Sequence, residues 1–196
     1  MWQSAGRLLL HIALALALAP GGAAAEPQRW TPITGKSHVA FGATFTLGDF
    51  EGKNERVSGE FTLDPSDLRQ GATGVLRVDV AGFRTGIEGR DRDLRQALEL
   101  ARFPQIRFTV EQVEATFNSI SDRSDVLLTI KGLMLIRDVE RPMTFPGRVR
   151  LRDDRLWVRG ESLLRMTDFG ISPPKRLFFS VGNQVTVRFD LTLAPE

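Results

Sequence analysis

Phe83-Arg84-Thr85-Gly86, Arg90-Asp91-Arg92-Asp93-Leu94-Arg95 and Phe103-Pro104-Gln105-Ile106-Arg107-Phe108 follow one another in a single short stretch of this chain. Inside it Leu94, Ala97, Leu98 and Ala101 fall at i, i+3, i+4 and i+7, the spacing of one face of an amphipathic helix. The spacing predicts a helix over Arg90–Ala101, with Asp91 and Asp93 in its first turn and Arg102 at its last, as the helix dipole favours. Pro104, which lacks a backbone N–H, is expected to stop it. This is the one helical period in a chain that otherwise alternates every two residues.

On either side, Val39, Phe41, Ala43 and Phe45 share one face of a period-two pattern, and Leu76, Val78 and Val80 do so against Arg77 and Asp79. Ile106, Phe108 and Val110 alternate with Arg107, Thr109 and Glu111. Val126, Leu128 and Ile130 follow, and Val185, Val187, Phe189 and Leu191 end the series. Such segments read as half-buried antiparallel strands. Val57–Leu63, Thr144–Leu151, Leu156–Gly160 and Glu161–Met166 are further strand candidates, and Glu26–Trp30 reads as a short leading arm. Turn signals at Asp64-Pro65-Ser66-Asp67, Gln70-Gly71, Asp153-Asp154 and Ser172-Pro173-Pro174 separate them. About eight short strands so divided predict an all-β barrel or sandwich, and closure is favoured because it removes exposed edges.

The chain opens with Arg7, an apolar run from Leu8 to Ala19, and then Pro20-Gly21-Gly22-Ala23-Ala24-Ala25. That order of positive, apolar and small residues reads as a secretory signal cleaved after Ala25, and the run is too short to span a bilayer. With residues 1–25 removed, 26–196 suit one domain with a sizeable core. Cysteine is absent, so there is neither a lipoprotein cleavage site nor a disulfide, and burial alone must stabilise the fold. The expected location is the periplasm.

A net charge of +2, with 26 basic and 24 acidic side chains, offers no electrostatic footprint for nucleic acid. Catalysis has little to draw on. The mature chain holds one histidine, His38, and no Gly-x-Ser-x-Gly elbow or phosphate-binding glycine loop. Glu88, Asp91 and Asp93 form the densest acidic cluster, but interleaved Arg90, Arg92 and Arg95 read as ion pairs rather than a calcium loop. One histidine without cysteine does not make a zinc site. No cofactor, metal or enzyme activity is expected.

A binding protein remains. The inward faces supply Phe41, Phe45, Leu76, Val78, Ile106, Phe108, Ile130, Val187 and Phe189, joined by Phe83, Leu94 and Leu98 beside the helix. An eight-stranded barrel is just wide enough to be filled by such side chains or to hold one slim ligand. Period-two alternation is the same in both cases. Arg84, Arg90, Arg92 and Arg95 stand near one rim, where they either meet a polar head group or are simply solvated.

Thr85-Gly86, Arg90-Asp91 with Leu94-Arg95, Phe103-Pro104 with Ile106 and Phe108, Leu128-Thr129-Ile130 with Gly132, and Arg165 with Asp168-Phe169-Gly170-Ile171 occur in an order that resembles the YceI-like family of bacterial exported proteins. The likeness runs from about Trp30 to Leu193. It implies an extended lipocalin-like antiparallel barrel with one short helix capping or flanking a lumen that holds a polyisoprenoid or similar amphiphile. Two positions depart from the family pattern. Asp93 stands where relatives commonly carry histidine, and Ala97–Ala101 replaces a more aromatic stretch.

The expected function is periplasmic binding, transport or storage of an isoprenoid or fatty amphiphile, with transient contact to a membrane or a membrane redox protein and a homodimer left open. The alternative is an accessory scaffold that docks on a membrane redox or envelope complex. The two differ in one structural respect. A scaffold predicts a filled lumen with an exposed apolar patch outside it.

Overall fold

The computed structural model describes residues 27–122, 124–176 and 179–196; the signal expected over residues 1–25 lies outside them. Alternating segments form β1 (Gln28–Pro32), β2 (His38–Phe45), β3 (Gly48–Asn54), β4 (Val57–Leu63), β5 (Ala72–Asp79), β6 (Gln105–Ala115), β7 (Val126–Ile136), β8 (Val139–Arg152), β9 (Arg155–Arg165), β10 (Lys175–Arg176) and β11 (Phe179–Pro195). Among the described residues, one α-helix, α1 (Glu88–Ala97), lies between β5 and β6.

Pairing runs β1-β4-β5-β6-β7-β8-β9-β11 and returns from β11 to β1, which closes an antiparallel barrel of eight strands. Closure depends on β11. At 17 residues it reaches far enough to pair with β9 along one edge, and with both β2 and β1 in succession along the other. The β2–β3 hairpin thereby extends the wall at one end. There Lys53 on β3 and Arg84 exchange backbone hydrogen bonds of 2.8 and 2.9 Å, which ties the segment after Phe83, and α1 behind it, to the hairpin.

Several boundaries differ from the sequence expectation, each for a physical reason. The presumed leading arm is largely β1: it pairs with both β4 and β11, and Trp30 is buried. β3 carries Gly52 and Asn54 on the same face as Phe50, so it lacked the apolar repeat that marks a strand. Asn54 is nonetheless buried, its amide donating to Asp79 O at 2.7 Å and its Oδ1 accepting from Arg56 N–H at 2.8 Å. Leu156–Gly160 and Glu161–Met166 are one continuous strand, β9, because Gly160 stays extended within the ladder to β11. Val80 leaves the β5 pattern for a 3-10 turn.

The helix spans Glu88–Ala97, shorter than Arg90–Ala101, and Ala101 is exposed. Glu99 adopts the left-handed region (φ 50°) one residue past the cap, well before Pro104. Its carbonyl accepts from Arg102 and Phe103 N–H, and its carboxylate pairs with Arg102 and Arg137. The chain thereby turns early enough to enter β6 at Gln105.

Candidate functional site

At the hairpin end, the lumen opens into a cavity of about 490 Å³, within the range of roughly 300–1,000 Å³ common to small-molecule sites. Its depth is apolar. Of the sequence candidates, Phe41, Phe45, Leu76, Val78, Phe83, Leu94, Leu98, Ile106, Phe108, Val187 and Phe189 line it. Ile130 does not. It faces a separate cavity of about 90 Å³ deeper in the barrel, beyond Leu76, Phe108 and Phe189, which border both spaces.

Sequence reasoning missed several lining residues, among them Phe50, Met134, Phe145, Ile171, Asp93 and Ser180. Phe145 had a signal, since it shares a face with Gly147 and Val149 within the expected Thr144–Leu151 strand. Phe50 had none, as it lies between Asp49 and Glu51 in a stretch of charges and glycines.

Four arginines were candidates for the rim, and the structure separates them. Arg90 lines the cavity, with its guanidinium 4.2 Å from the ring centre of Phe50 and 5.6 Å from that of Phe45. Arg84 instead turns back to donate to Ala81 O at 2.7 Å and Phe83 O at 2.8 Å. Arg92 is exposed, and Arg95 lies 4.0 Å from Asp91; neither lines the cavity. Helical geometry explains the division. Arg90, Asp93, Leu94 and Ala97 share the i, i+3, i+4, i+7 face that α1 turns to the lumen, and Arg92 and Arg95 fall off it. Ser180 joins the polar set from β11, next to Thr46: their backbones and the Thr46 hydroxyl are hydrogen-bonded at 3.0 and 3.2 Å. The polar lining residues therefore gather at the mouth, around the Phe45–Phe50 hairpin.

Asp91 fixes the helix above that mouth. It is only 5% exposed, and one carboxylate oxygen accepts from the Thr85 N–H at 2.7 Å and the Thr85 hydroxyl at 2.6 Å. Burial pushes its carboxyl up, but the Thr85 hydroxyl and amide, with the Arg95 and Arg84 guanidiniums, outweigh it and hold the group below the usual carboxylate range. Of the acidic cluster, Asp91 thus clamps the loop before the helix, and Asp93 faces the lumen.

The sequence matches the model of the YceI-like domain over residues 30–193. The chain belongs to the YceI-like family. No protein of curated function matches it. Among solved structures it is similar to BcnA of Burkholderia cenocepacia, with a TM-score of 0.69 and 18% identity over 82% of this chain and 98% of that one. It is also similar to a polyisoprenoid-binding domain from Saccharophagus degradans implicated in plant cell wall breakdown, with a TM-score of 0.68, 16% identity, and 85% and 98% of the two chains covered. The Campylobacter jejuni YceI protein gives 0.59 and 16% over 74% and 84%. At these identities the likeness establishes the shared barrel.

The YceI-like motif residues have structural roles in this chain. Thr85 and Asp91 are the two halves of the helix clamp. Phe169 is buried at 1% exposure, and Gly170 closes its 3-10 turn with φ 67°, a conformation that favours glycine.

Proposed function

We propose that this chain is a periplasmic carrier or store for an isoprenoid or other slender amphiphile, formed by one domain over residues 26–196 once residues 1–25 are removed. The tail lies in the apolar cavity, and the head meets Arg90, Asp93 and Ser180 at its mouth. One observation carries the reading: an open cavity of about 490 Å³ with apolar depth and its polar lining residues confined to one end. The likeness to a barrel described as a polyisoprenoid-binding domain agrees with it. A non-enzymatic role fits the same arrangement, since the two buried carboxylates among the described residues, Asp64 and Asp91, are engaged by neighbouring Ser66 and Thr85.

Magnitudes show why both ends of the site matter. Burying about ten tail carbons contributes roughly 8 kcal/mol, against roughly 4–15 kcal/mol lost on association. A tail alone is held weakly. Contacts at the mouth then decide whether binding is useful, and a desolvated charge-assisted hydrogen bond from Arg90 is the strongest available there. The scaffold alternative predicts a filled lumen, so the cavity favours the carrier.

Organic extraction of the purified mature protein followed by mass spectrometry tests the proposal. A co-purified prenyl or fatty chain, or uptake of farnesol by extracted protein, is the expected result. Neither co-purified lipid nor uptake would overturn it.

A further inference from the structure

Leu76, Phe108 and Phe189 border both cavities, and Phe145, which lines the larger one, touches the last two. Phe108 on β6 contacts Phe145 on β8, with ring centres 5.2 Å apart, although β7 lies between those strands. Phe145 in turn contacts Phe189 on β11 at 5.6 Å, although β9 lies between them. Rings that meet over an intervening strand cover its lumen-facing side, and both pairs are edge-to-face. Phe145, in the middle, is 2% exposed.

Each intervening strand carries a glycine where a ring passes over it. A Cβ on Gly160 of β9 would lie 2.5 Å from Phe189 Cζ, and one on Gly132 of β7 would meet first the Thr109 carbonyl oxygen at 2.0 Å and then Phe108 Cζ at 3.0 Å. Any larger residue at Gly160 would push the Phe189 ring aside. Gly160 gives the Phe189 ring room to lie over β9 beside Phe145, and the apolar space beyond Phe108 and Phe189 is the smaller cavity of about 90 Å³.

We propose that Phe108, Phe145 and Phe189 form a transverse stop that sets the tail length this barrel accepts, which makes Phe145 a specificity-determining residue. The proposal rests on the amphiphile-binding reading above. A tail entering at the Arg90 mouth runs inward until it meets the rings, and longer chains must leave their surplus in water. Affinity then climbs with chain length only as far as the stop. Each methylene buried before it raises affinity about fourfold, and each one beyond it adds nothing.

Geraniol, farnesol, geranylgeraniol and solanesol, competed against a fluorescent prenyl probe, measure this on the mature protein and on Phe145→Ala and Phe145→Leu. The expected wild-type series rises and then levels at one chain length. Both variants move that step to a longer chain and bind the first chain beyond it at least about tenfold more tightly than wild type does. Should Phe145→Ala fail to fold, Phe145→Leu carries the test, since it keeps an apolar filler while removing both ring contacts. A wild-type series that rises through solanesol, or a step that the folded variants leave in place, overturns the stop alone. Binding of none of the four alcohols by wild type overturns the amphiphile-binding reading and the stop with it.

Discussion

Replacing Asp91 with asparagine tests whether the helix over the mouth is held by a buried charge. Both hydrogen bonds from Thr85 end on one oxygen, at 2.7 and 2.6 Å, so Asp91→Asn keeps an acceptor there and removes only the charge. A hydrogen bond to a charged group contributes about 1.5–3 kcal/mol and a neutral one about 0.5–1.5. Two bonds weakened together would lose about 2 kcal/mol, partly offset because the desolvation that raises the Asp91 pKa disappears. The Arg95 pair, at 4.0 Å with the guanidinium partly in water, adds little. The expected net loss is about 1–2 kcal/mol.

The pH dependence is the sharper signature. The folded-state carboxyl is held below its unfolded value of about 3.9. Its stabilisation is therefore complete above that value and drains away as pH falls through it towards the folded value. Urea unfolding of wild type and Asp91→Asn across the acidic range is the assay. The gap between the two proteins should be widest near neutrality and close as pH falls through the carboxylate range. A gap that does not change with pH, or a variant as stable as wild type at neutrality, would refute the charged clamp.

Three further perturbations follow from the same geometry. Gly160→Ala places a Cβ 2.5 Å from Phe189 Cζ, and overpacking of this kind costs about 1–3 kcal/mol; calorimetry should show a lower Tm, and an unchanged Tm would mean that the ring does not rest there. Asn54→Ala frees the β3–β4 corner from Asp79 O and is expected to lower stability in chemical denaturation by about 1–3 kcal/mol; a loss below about 0.5 kcal/mol would show that the corner holds without it. Arg90→Ala removes the guanidinium from the Phe45 and Phe50 rings. A hydrogen bond from this charged group to a head group is worth about 1.5–3 kcal/mol, so the variant should release a fluorescent prenyl alcohol faster in stopped-flow dilution, and an unchanged rate would remove Arg90 from the mouth.

Part of the site was legible because a strand's side chains alternate by geometry alone. Phe41, Phe45, Leu76, Phe108, Val187 and Phe189 had to share the inner side of whatever sheet formed. The rim was less legible. Arg84, Arg90, Arg92 and Arg95 are chemically alike and close in sequence, and only the rotation of α1 and the backbone contacts of Arg84 leave Arg90 alone of the four at the cavity. Asp91 and Asp93 looked interchangeable as first-turn acids. A Thr85 loop six residues upstream takes one of them, and the lumen receives the other.

The stretch from Phe83 to Phe108 by itself determined that a single helix interrupts an alternating β chain, because periods of 3.6 and 2 are local properties of covalent geometry. Family membership was equally readable, as motif order survives without any knowledge of packing. Only the tertiary structure decided that the lumen is hollow near the mouth, narrowed by rings farther in, and polar at one end. Those outcomes depend on contacts across the barrel, such as Phe108 with Phe145 and Phe189 over Gly160. Residues distant in sequence meet there through strand register and closure, which no local period encodes.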